Sequence, residues 1–155
     1  MSLETVRAHL APFGRDGDVV VTDSSSATVE LAAEAIGVEP ARIAKTLAFR
    51  TADPDACLLV VAAGDARIDN AAFKAVFGRK AQMVRAEDVE RLTGHPVGGV
   101  CPFANPSTAT VHLDGSLKRF RTVFPACGTS SSMIELTLPE LEALSGAADW
   151  IDVTR

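Results

Sequence analysis

The segment from Thr93 to Phe103 constrains the backbone of this chain more than any other part of the sequence. Its residues 94–103 include three Gly and two Pro. Glycine permits positive φ and close approach of the backbone to a ligand, whereas proline fixes φ and removes a hydrogen-bond donor. Main-chain amides near Gly98 and Gly99 can therefore be aimed at a developing oxyanion. A rigid turn without chemistry is the alternative that the loop alone leaves open.

Lys45 is the second polar feature that bears on function. It precedes Thr46 and follows the short turn of residues 40–43, so we expect it at the mouth of a strand. A lysine in such a place is commonly just a solvated charge. At the mouth of a pocket, however, its ammonium group is a compact cation that can hold a phosphate. We expect Lys45 and the loop at Gly98 to converge on one cleft, because both flank strands that can neighbour each other in one sheet.

The chain has the size and composition of a single α/β domain. Its 155 residues are enough to bury a core, and 47% of them are hydrophobic. Apolar spacing and capping signals predict helices at residues 2–11, 27–36 (capped by Ser26), 70–77 (capped by Asp69), 86–92 and 139–144. Apolar and β-branched runs predict strands at residues 19–22, 46–50, 57–63, 81–84, 108–113, 121–125, 133–136 and 150–153. The three strands between 108 and 136 are expected to form a meander. Residues 1–155 are expected to form one domain with a curved mixed sheet surrounded by helices.

Hydropathy and charge limit the partners of the chain. No apolar run approaches the length of a membrane span, and the first residues lack a basic region followed by an apolar core, so we expect a cytoplasmic protein without a membrane partner. The net charge is −5, but residues 42–85 carry eight Lys or Arg against four Asp or Glu. A basic face on an acidic body suits weak contact with the end of a nucleic acid, or is simply a solvated surface.

The three cysteines, Cys57, Cys101 and Cys127, indicate neither a disulfide framework nor a metal site. They are odd in number, widely spaced and without a CxxC pair. The sequence also has no HExxH motif, nucleophile elbow or pair of catalytic carboxylates, so we expect no metal and no cofactor. One rival chemistry stays open, in which Cys101 is a nucleophile activated by His95 of the same loop. No Asn or Asp is obviously placed to orient that histidine.

The order of the motifs resembles the YbaK/EbsC family, the free-standing relatives of the editing insertion in bacterial prolyl-tRNA synthetase. The resemblance is carried by residues 26–37, the Lys45-Thr46 pair, Gly64-Asp65-x-Arg67-x-Asp69, Gly98-x-x-x-Pro102, and Val123-x-x-Ala126-x-Gly128 followed by Ile134-Glu135-Leu136. It covers roughly residues 18–152. The resemblance implies a trans-acting enzyme that hydrolyses a wrongly attached amino acid from tRNA. Its partners would be aminoacyl-tRNA, mainly the acceptor end, and a synthetase in a transient complex.

The resemblance also implies roles for individual residues. Lys45 would hold the 3′-terminal nucleotide of tRNA, and Thr46 would line the same pocket with its hydroxyl group. The amides near Gly98 and Gly99 would stabilise the oxyanion, while the vicinal hydroxyl of the terminal ribose would position or deprotonate the attacking water. The other residues expected to contact the substrate are Cys101, Pro102, Ala126, Gly128 and Met133.

Three positions depart from the family pattern and bear on which amino acid is removed. Members that act on cysteinyl-tRNA tend to have an acidic residue where this chain has Met133. A small polar residue such as Ser is common at the positions of Cys101 and Ala126. A pocket with little fixed charge favours alanine, serine or threonine, and shape alone rejects near-isosteres poorly. The alternative to hydrolysis is a binding module of the same fold that recognises an amino acid, a nucleotide or the end of tRNA.

Overall fold

The computed structural model describes residues 2–23 and 28–155 of the chain. The helices are α1 (Ser2–Leu10), α2 (Val29–Ile36), α3 (Asn70–Phe77), α4 (Ala86–Thr93) and α5 (Leu138–Ser145). The strands are β1 (Val20–Val21), β2 (Ile43–Arg50), β3 (Cys57–Ala63), β4 (Ala109–Asp114), β5 (Thr122–Pro125), β6 (Ser132–Met133), β7 (Leu136–Thr137) and β8 (Asp149–Ile151). Among the residues described, no helix combines the length and the apolar character needed to span a bilayer.

Six strands form one mixed sheet in the order β7-β5-β2-β3-β4-β8, which confirms the mixed α/β architecture. β2 and β3 are antiparallel, whereas β5 runs parallel to β2 and β4 runs parallel to β3. The predicted meander is therefore wrong, because β4 and β5 lie on opposite sides of the β2–β3 hairpin. The connection from β3 to β4 contains α3 and α4, as a parallel crossover requires. β1 and β6 form a separate antiparallel ribbon.

Local chemistry explains where the helices begin and end. At α2 the Thr28 hydroxyl accepts a hydrogen bond from the first turn, and Gly37 ends the helix with a left-handed backbone (φ 72°). The sequence predicted the stop at Gly37 but placed the cap at Ser26, which lies outside the described residues. Thr28 takes the capping role, so the helix begins two residues later than predicted. Asp69 caps α3 as predicted, through its side-chain oxygen.

Two predicted strands are present only in part. Residues 81–84 form no regular strand, and Met83 makes a single bridge to Phe49 at the edge of β2. The predicted strand at 133–136 is divided, since β6 belongs to the two-stranded ribbon and β7 to the main sheet. Short apolar runs of this kind do not reveal which partner each half will pair with, so the sequence could not separate the two halves.

The core is built around β3, whose side chains are buried on both faces. On one face Val61 belongs to the larger apolar cluster, and on the other Val60 packs in a second cluster with Phe49 and Phe73. The rings of these two phenylalanines lie 4.8 Å apart between centroids. An unbroken apolar run at 57–63 is what a strand covered by a layer on each face requires, as the sequence indicated.

One edge of β2 is left partly unpaired, and a cleft lies beside this gap. β5 pairs with β2 only at Ile43 and Ala44. Further along the same edge, the main chain of Ala48 pairs with the segment 82–84. Thr46 lies between these contacts, and its N–H and C=O point to this edge because alternate residues of a strand do so. In the described part of the chain no strand covers Thr46 here, so the sheet is open at this point.

Candidate active site

A cleft of about 220 Å³ borders the gap in the edge of β2. Its walls come from α2, the start of β2, the loop before β4, and the segment that runs from the end of β5 through β6. Five of the nine residues predicted for the site line it, namely Lys45, Thr46, Gly98, Ala126 and Met133. The predicted convergence of Lys45 and the Gly98 loop is therefore present. The other four, Gly99, Cys101, Pro102 and Gly128, are buried and do not line the cleft.

Lys45 is the third residue of β2, so it lies inside the strand and not at its mouth as predicted. Its half-buried ammonium group donates to the carbonyl oxygens of Gly64 (3.3 Å) and Ala66. Burial lowers the pKa of Lys45 below its usual value, and the nearby Asp65 carboxylate opposes that shift. Asp65 is itself bound by two nitrogens of Arg119, at 3.0 and 2.5 Å. Lys45 is thus oriented by main-chain carbonyls while no described carboxylate pairs with it directly.

A tight turn brings the glycine loop, defined here as residues 94–103, to the cleft. The Gly99 N–H donates to the Pro96 carbonyl oxygen at 2.9 Å, and Gly98 has a φ of 90°. This is the arrangement of a type II turn, whose third position requires positive φ and therefore favours glycine. This turn explains the glycine at position 98, whereas Gly94 (φ 83°) ends α4.

The structure changes which amides of the turn can reach a ligand. Gly99 packs closely against Gly128, which lies between β5 and β6. A Cβ atom at Gly99 would lie 2.6 Å from the Gly128 carbonyl carbon. Its N–H is also bonded within the turn, so the predicted use of the Gly99 amide at the oxyanion does not match the geometry. Gly98 and Val100 line the cleft instead, and their N–H groups donate to no other described residue.

Hydroxyl groups from the β6 side complete the cleft, and the prediction missed them. Thr129 Oγ1 and Ser132 Oγ lie 2.6 Å apart, and both residues line the cleft. The Thr46 hydroxyl oxygen is buried and has no hydrogen-bond partner in the described part of the chain. Ala32 of α2 adds an apolar wall to the cleft. The sequence feature that could have predicted them is the run of four hydroxyl residues at 129–132. By itself this run is typical of an ordinary loop, because the sequence does not show that β1 and β6 pair.

The lining defines the chemistry that the cleft can perform. Among the described residues it contains one ammonium group, main-chain N–H donors and hydroxyl groups, but no carboxylate, imidazole or thiol. No group of three or more His, Cys, Asp or Glu side chains is placed to hold a metal ion in that part of the chain either. Such a site can bind an anion and polarise a carbonyl, while the proton transfers must involve water or the ligand itself.

Cys101 and His95, the pair of the rival thiol mechanism, do touch, with 3.4 Å between Sγ and Nε2. Both side chains are completely buried, and burial raises the pKa of the Cys101 thiol to about 12. His95 Nε2 also lies 2.6 Å from the Phe103 carbonyl oxygen, which can only accept a hydrogen bond. That nitrogen therefore carries a proton and cannot take one from the thiol. The pair belongs to the packing beneath the loop and is not a nucleophile with its base.

Comparison with known proteins agrees with the motifs. Residues 23–144 match the family described as the aminoacyl-tRNA editing domain. The uncharacterized protein YwhH of Bacillus subtilis (strain 168) is 52% identical over 155 residues, which cover 100% of this chain and 98% of that protein. EbsC of Enterococcus faecalis, named as a candidate Cys-tRNA(Pro)/Cys-tRNA(Cys) deacylase, is 26% identical over 136 residues, 87% of this chain and 81% of that protein.

The fold comparison leads to the same family. A crystal structure described as that of a candidate trans-editing enzyme for prolyl-tRNA synthetase superposes with a TM-score of 0.87 and 30% sequence identity. The superposition covers 99% of this chain and 97% of that one. The resemblance carried by the sequence motifs is confirmed, and the chain belongs to the YbaK/EbsC family of aminoacyl-tRNA editing domains.

Proposed function

We propose that this protein is a trans-acting aminoacyl-tRNA deacylase, which removes a wrongly attached small amino acid by hydrolysing its ester bond to tRNA. The observation that carries the proposal is the convergence of Lys45 and the Gly98 turn on one cleft, in a chain of the editing-domain family. The names of two relatives support it, since one is named for deacylation of cysteinyl-tRNA and the other for trans-editing.

Lys45 is the residue that would bind the 3′-terminal nucleotide of the tRNA. Its ammonium group presents a compact positive charge at the cleft, and a phosphate oxygen would receive a charge-assisted hydrogen bond from it. Half burial shields this contact from salt, so it contributes more than an ion pair on the open surface. A protein of net charge −5 that neutralises few phosphates binds the rest of the tRNA weakly.

The hydrolysis requires orientation and charge stabilisation more than protein acids and bases. The oxygen of a water molecule bonds to the ester carbonyl carbon, and the vicinal ribose hydroxyl positions that water and relays its proton. The bond from the carbonyl carbon to the ribose oxygen then breaks, and that oxygen takes up the proton. The products are the free amino acid and tRNA with its terminal hydroxyl restored. Gly98 and Val100 line the cleft, and their N–H groups would be the donors that stabilise the oxyanion.

The lining favours a small, uncharged amino acid. Ala32, Ala126 and Met133 give apolar walls, whereas Thr46 and Ser132 add hydroxyl groups. Alanine, serine and threonine suit such a pocket, and shape alone discriminates poorly between near-isosteres, so we expect overlapping activity on them. Because the cleft would contact only the acceptor end, a synthetase in a transient complex would select the tRNA. Translation would place the protein in the cytoplasm.

Deacylation is expected to be insensitive to EDTA. No described cluster of ligands is placed to hold a metal ion, and the proposed chemistry uses only amides, Lys45 and the substrate hydroxyl. The assay should use an aminoacylated acceptor-stem hairpin, whose folding does not depend on Mg²⁺. Loss of turnover in EDTA, with recovery on adding Zn²⁺, would contradict this prediction.

Replacing Cys101 by serine is expected to change kcat/KM less than about threefold, because the thiol is buried away from the cleft and the mechanism uses no thiolate. Native protein should also keep its activity in iodoacetamide, since Cys57, Cys101 and Cys127 are all buried. Mass spectrometry should find alkylation only after denaturation. An inactive Cys101→Ser variant that still folds would favour the thiol mechanism.

A test of catalysis itself separates the enzyme from a binding module of the same fold. The rate at which the ester is lost should be compared in buffer and in excess protein, under single-turnover conditions. A deacylase speeds the loss, whereas a binding module shields the ester from spontaneous hydrolysis and slows it. The second result, with binding retained, would replace our proposal by the binding module.

A further inference from the structure

His95 is a buried residue of the glycine loop, and its ring connects the loop to α1. Its Nδ1 lies 2.5 Å from Ser2 Oγ of α1, and its Nε2 lies 2.6 Å from the carbonyl oxygen of Phe103 at the far end of the loop. Because Nε2 carries the proton, Nδ1 of the neutral ring accepts from the Ser2 hydroxyl. Burial lowers the pKa of His95 below its usual value, which favours the neutral ring.

Asn105 closes the same loop from its other end. Its side-chain Nδ2 donates to the carbonyl oxygens of Thr93 (2.8 Å) and Cys101 (3.0 Å). Together with the bond from His95 to Phe103, these contacts tie the base of the glycine loop by side chains. Of these three hydrogen bonds the one from His95 is buried and the two from Asn105 are partly buried, so leaving these groups without a partner would be costly and the bonds favour a single backbone arrangement.

The turn that faces the cleft rests directly on this tied base. Gly99 packs against Gly128, and a Cβ atom at Gly128 would lie 2.9 Å from the main-chain oxygen of Ser2. Ser2 therefore touches His95 with its side-chain oxygen, and both its side chain and its main chain lie against Gly128. A continuous set of contacts therefore links α1, through Ser2, Gly128 and Gly99, to the type II turn at Gly98.

We propose that His95 is a positioning residue that fixes the Gly98 turn at the cleft, and that Ser2 couples α1 to that position. The kinetic part of this inference rests on the proposed function. His95 does not line the cleft, so it would act through the turn. A displaced turn loses stabilisation of the oxyanion while Lys45 still holds the terminal nucleotide. The effect therefore falls on kcat and leaves KM nearly unchanged.

The kinetic test compares His95→Leu with His95→Gln. Leucine fills a similar volume but makes neither hydrogen bond, and we expect kcat to fall about tenfold or more with KM changed less than about twofold. Glutamine can still donate to the Phe103 carbonyl oxygen and should recover most of kcat. Wild-type kcat in a folded His95→Leu variant, or equal losses in the two variants, would overturn the proposal.

The rate of amide hydrogen exchange reports whether the turn keeps its hydrogen bond, and this measurement does not depend on activity. The Gly99 N–H is bonded to Pro96, and its exchange should be about ten times faster in His95→Leu than in the wild type, and near the wild-type rate in His95→Gln. Ser2→Ala is the milder variant if His95→Leu fails to fold, and it should also speed this exchange. Unchanged exchange in every folded variant overturns the positioning role. If exchange is faster in His95→Leu but the wild-type protein deacylates no substrate, the positioning role is supported and the proposed function is refuted.

Discussion

Lys45→Ala is expected to lower kcat/KM for deacylation at least about 100-fold while leaving the fold intact. Among the described residues it is the one cation that lines the cleft. A charge-assisted contact to a phosphate in a half-buried site is worth about 3 kcal/mol, which corresponds to two powers of ten in rate. The free energy of unfolding should fall by no more than about 1 kcal/mol, because the carbonyls of Gly64 and Ala66 can bond to water instead. Single-turnover assays and urea melts measure the two quantities.

Lys74→Ala is the matched control for this prediction. Lys74 is an exposed lysine on α3 that does not line the cleft, so its removal changes the net charge equally and should leave kcat/KM unchanged. Lys45→Arg should keep part of the activity, since a guanidinium preserves the charge but not the compact geometry. Equal activities of Lys45→Ala and Lys74→Ala would show that the cation of the cleft does not bind the substrate.

Gly98→Val is expected to reduce kcat more than about 100-fold, as the loss of an oxyanion donor does in other enzymes. We expect this loss because of the backbone conformation at position 98 and not because of steric crowding. A Cβ atom at Gly98 would lie 3.7 Å from the Ser130 Cβ, which is ordinary contact, but the φ of 90° is one that β-branched residues avoid. Valine would therefore change the turn and displace the amides of Gly98 and Val100. Deacylation under substrate saturation measures kcat directly.

Gly14→Val provides the control for strain alone. Gly14 also has a positive φ, 72°, and a Cβ atom there would have nothing within 4 Å. The substitution should destabilise the fold by about 1–2 kcal/mol, as left-handed backbone does for residues with a Cβ, and leave kcat unaltered. If both variants lost activity equally, global destabilisation would explain the effect and the role assigned to Gly98 would be wrong.

Features that depend on nearby residues could be predicted from the sequence. Asp69 was identified as a cap because a side-chain oxygen bonds to an N–H only three residues away. The stop at Gly37 likewise depends on the backbone of one residue. Strand order depends instead on which faces pack together across the chain. The meander prediction failed for that reason, since β4 and β5 read alike in sequence and pair with different neighbours.

The candidate site divides in the same way. Lys45 and Gly98 stand out locally, one as a cation beside a strand and the other in a cluster of Gly and Pro. The sequence could not show that the Gly99 N–H donates to the Pro96 carbonyl oxygen within the turn, because this hydrogen bond depends on the turn type. Nor could it show that Cys101 faces away from the cleft, since residues of one loop can point to opposite sides.

The central claim is tested most directly by deacylation of a panel of alanyl-, seryl-, threonyl-, cysteinyl- and prolyl-tRNA. We expect the wild-type protein to speed ester loss over buffer for at least one of the alanine, serine and threonine esters, with less effect on cysteinyl- and prolyl-tRNA. The same reactions with Lys45→Ala should return to the rate in buffer. Ester loss no faster than in buffer for all five, or turnover that survives in Lys45→Ala and disappears in Cys101→Ser, would contradict the proposed editing mechanism.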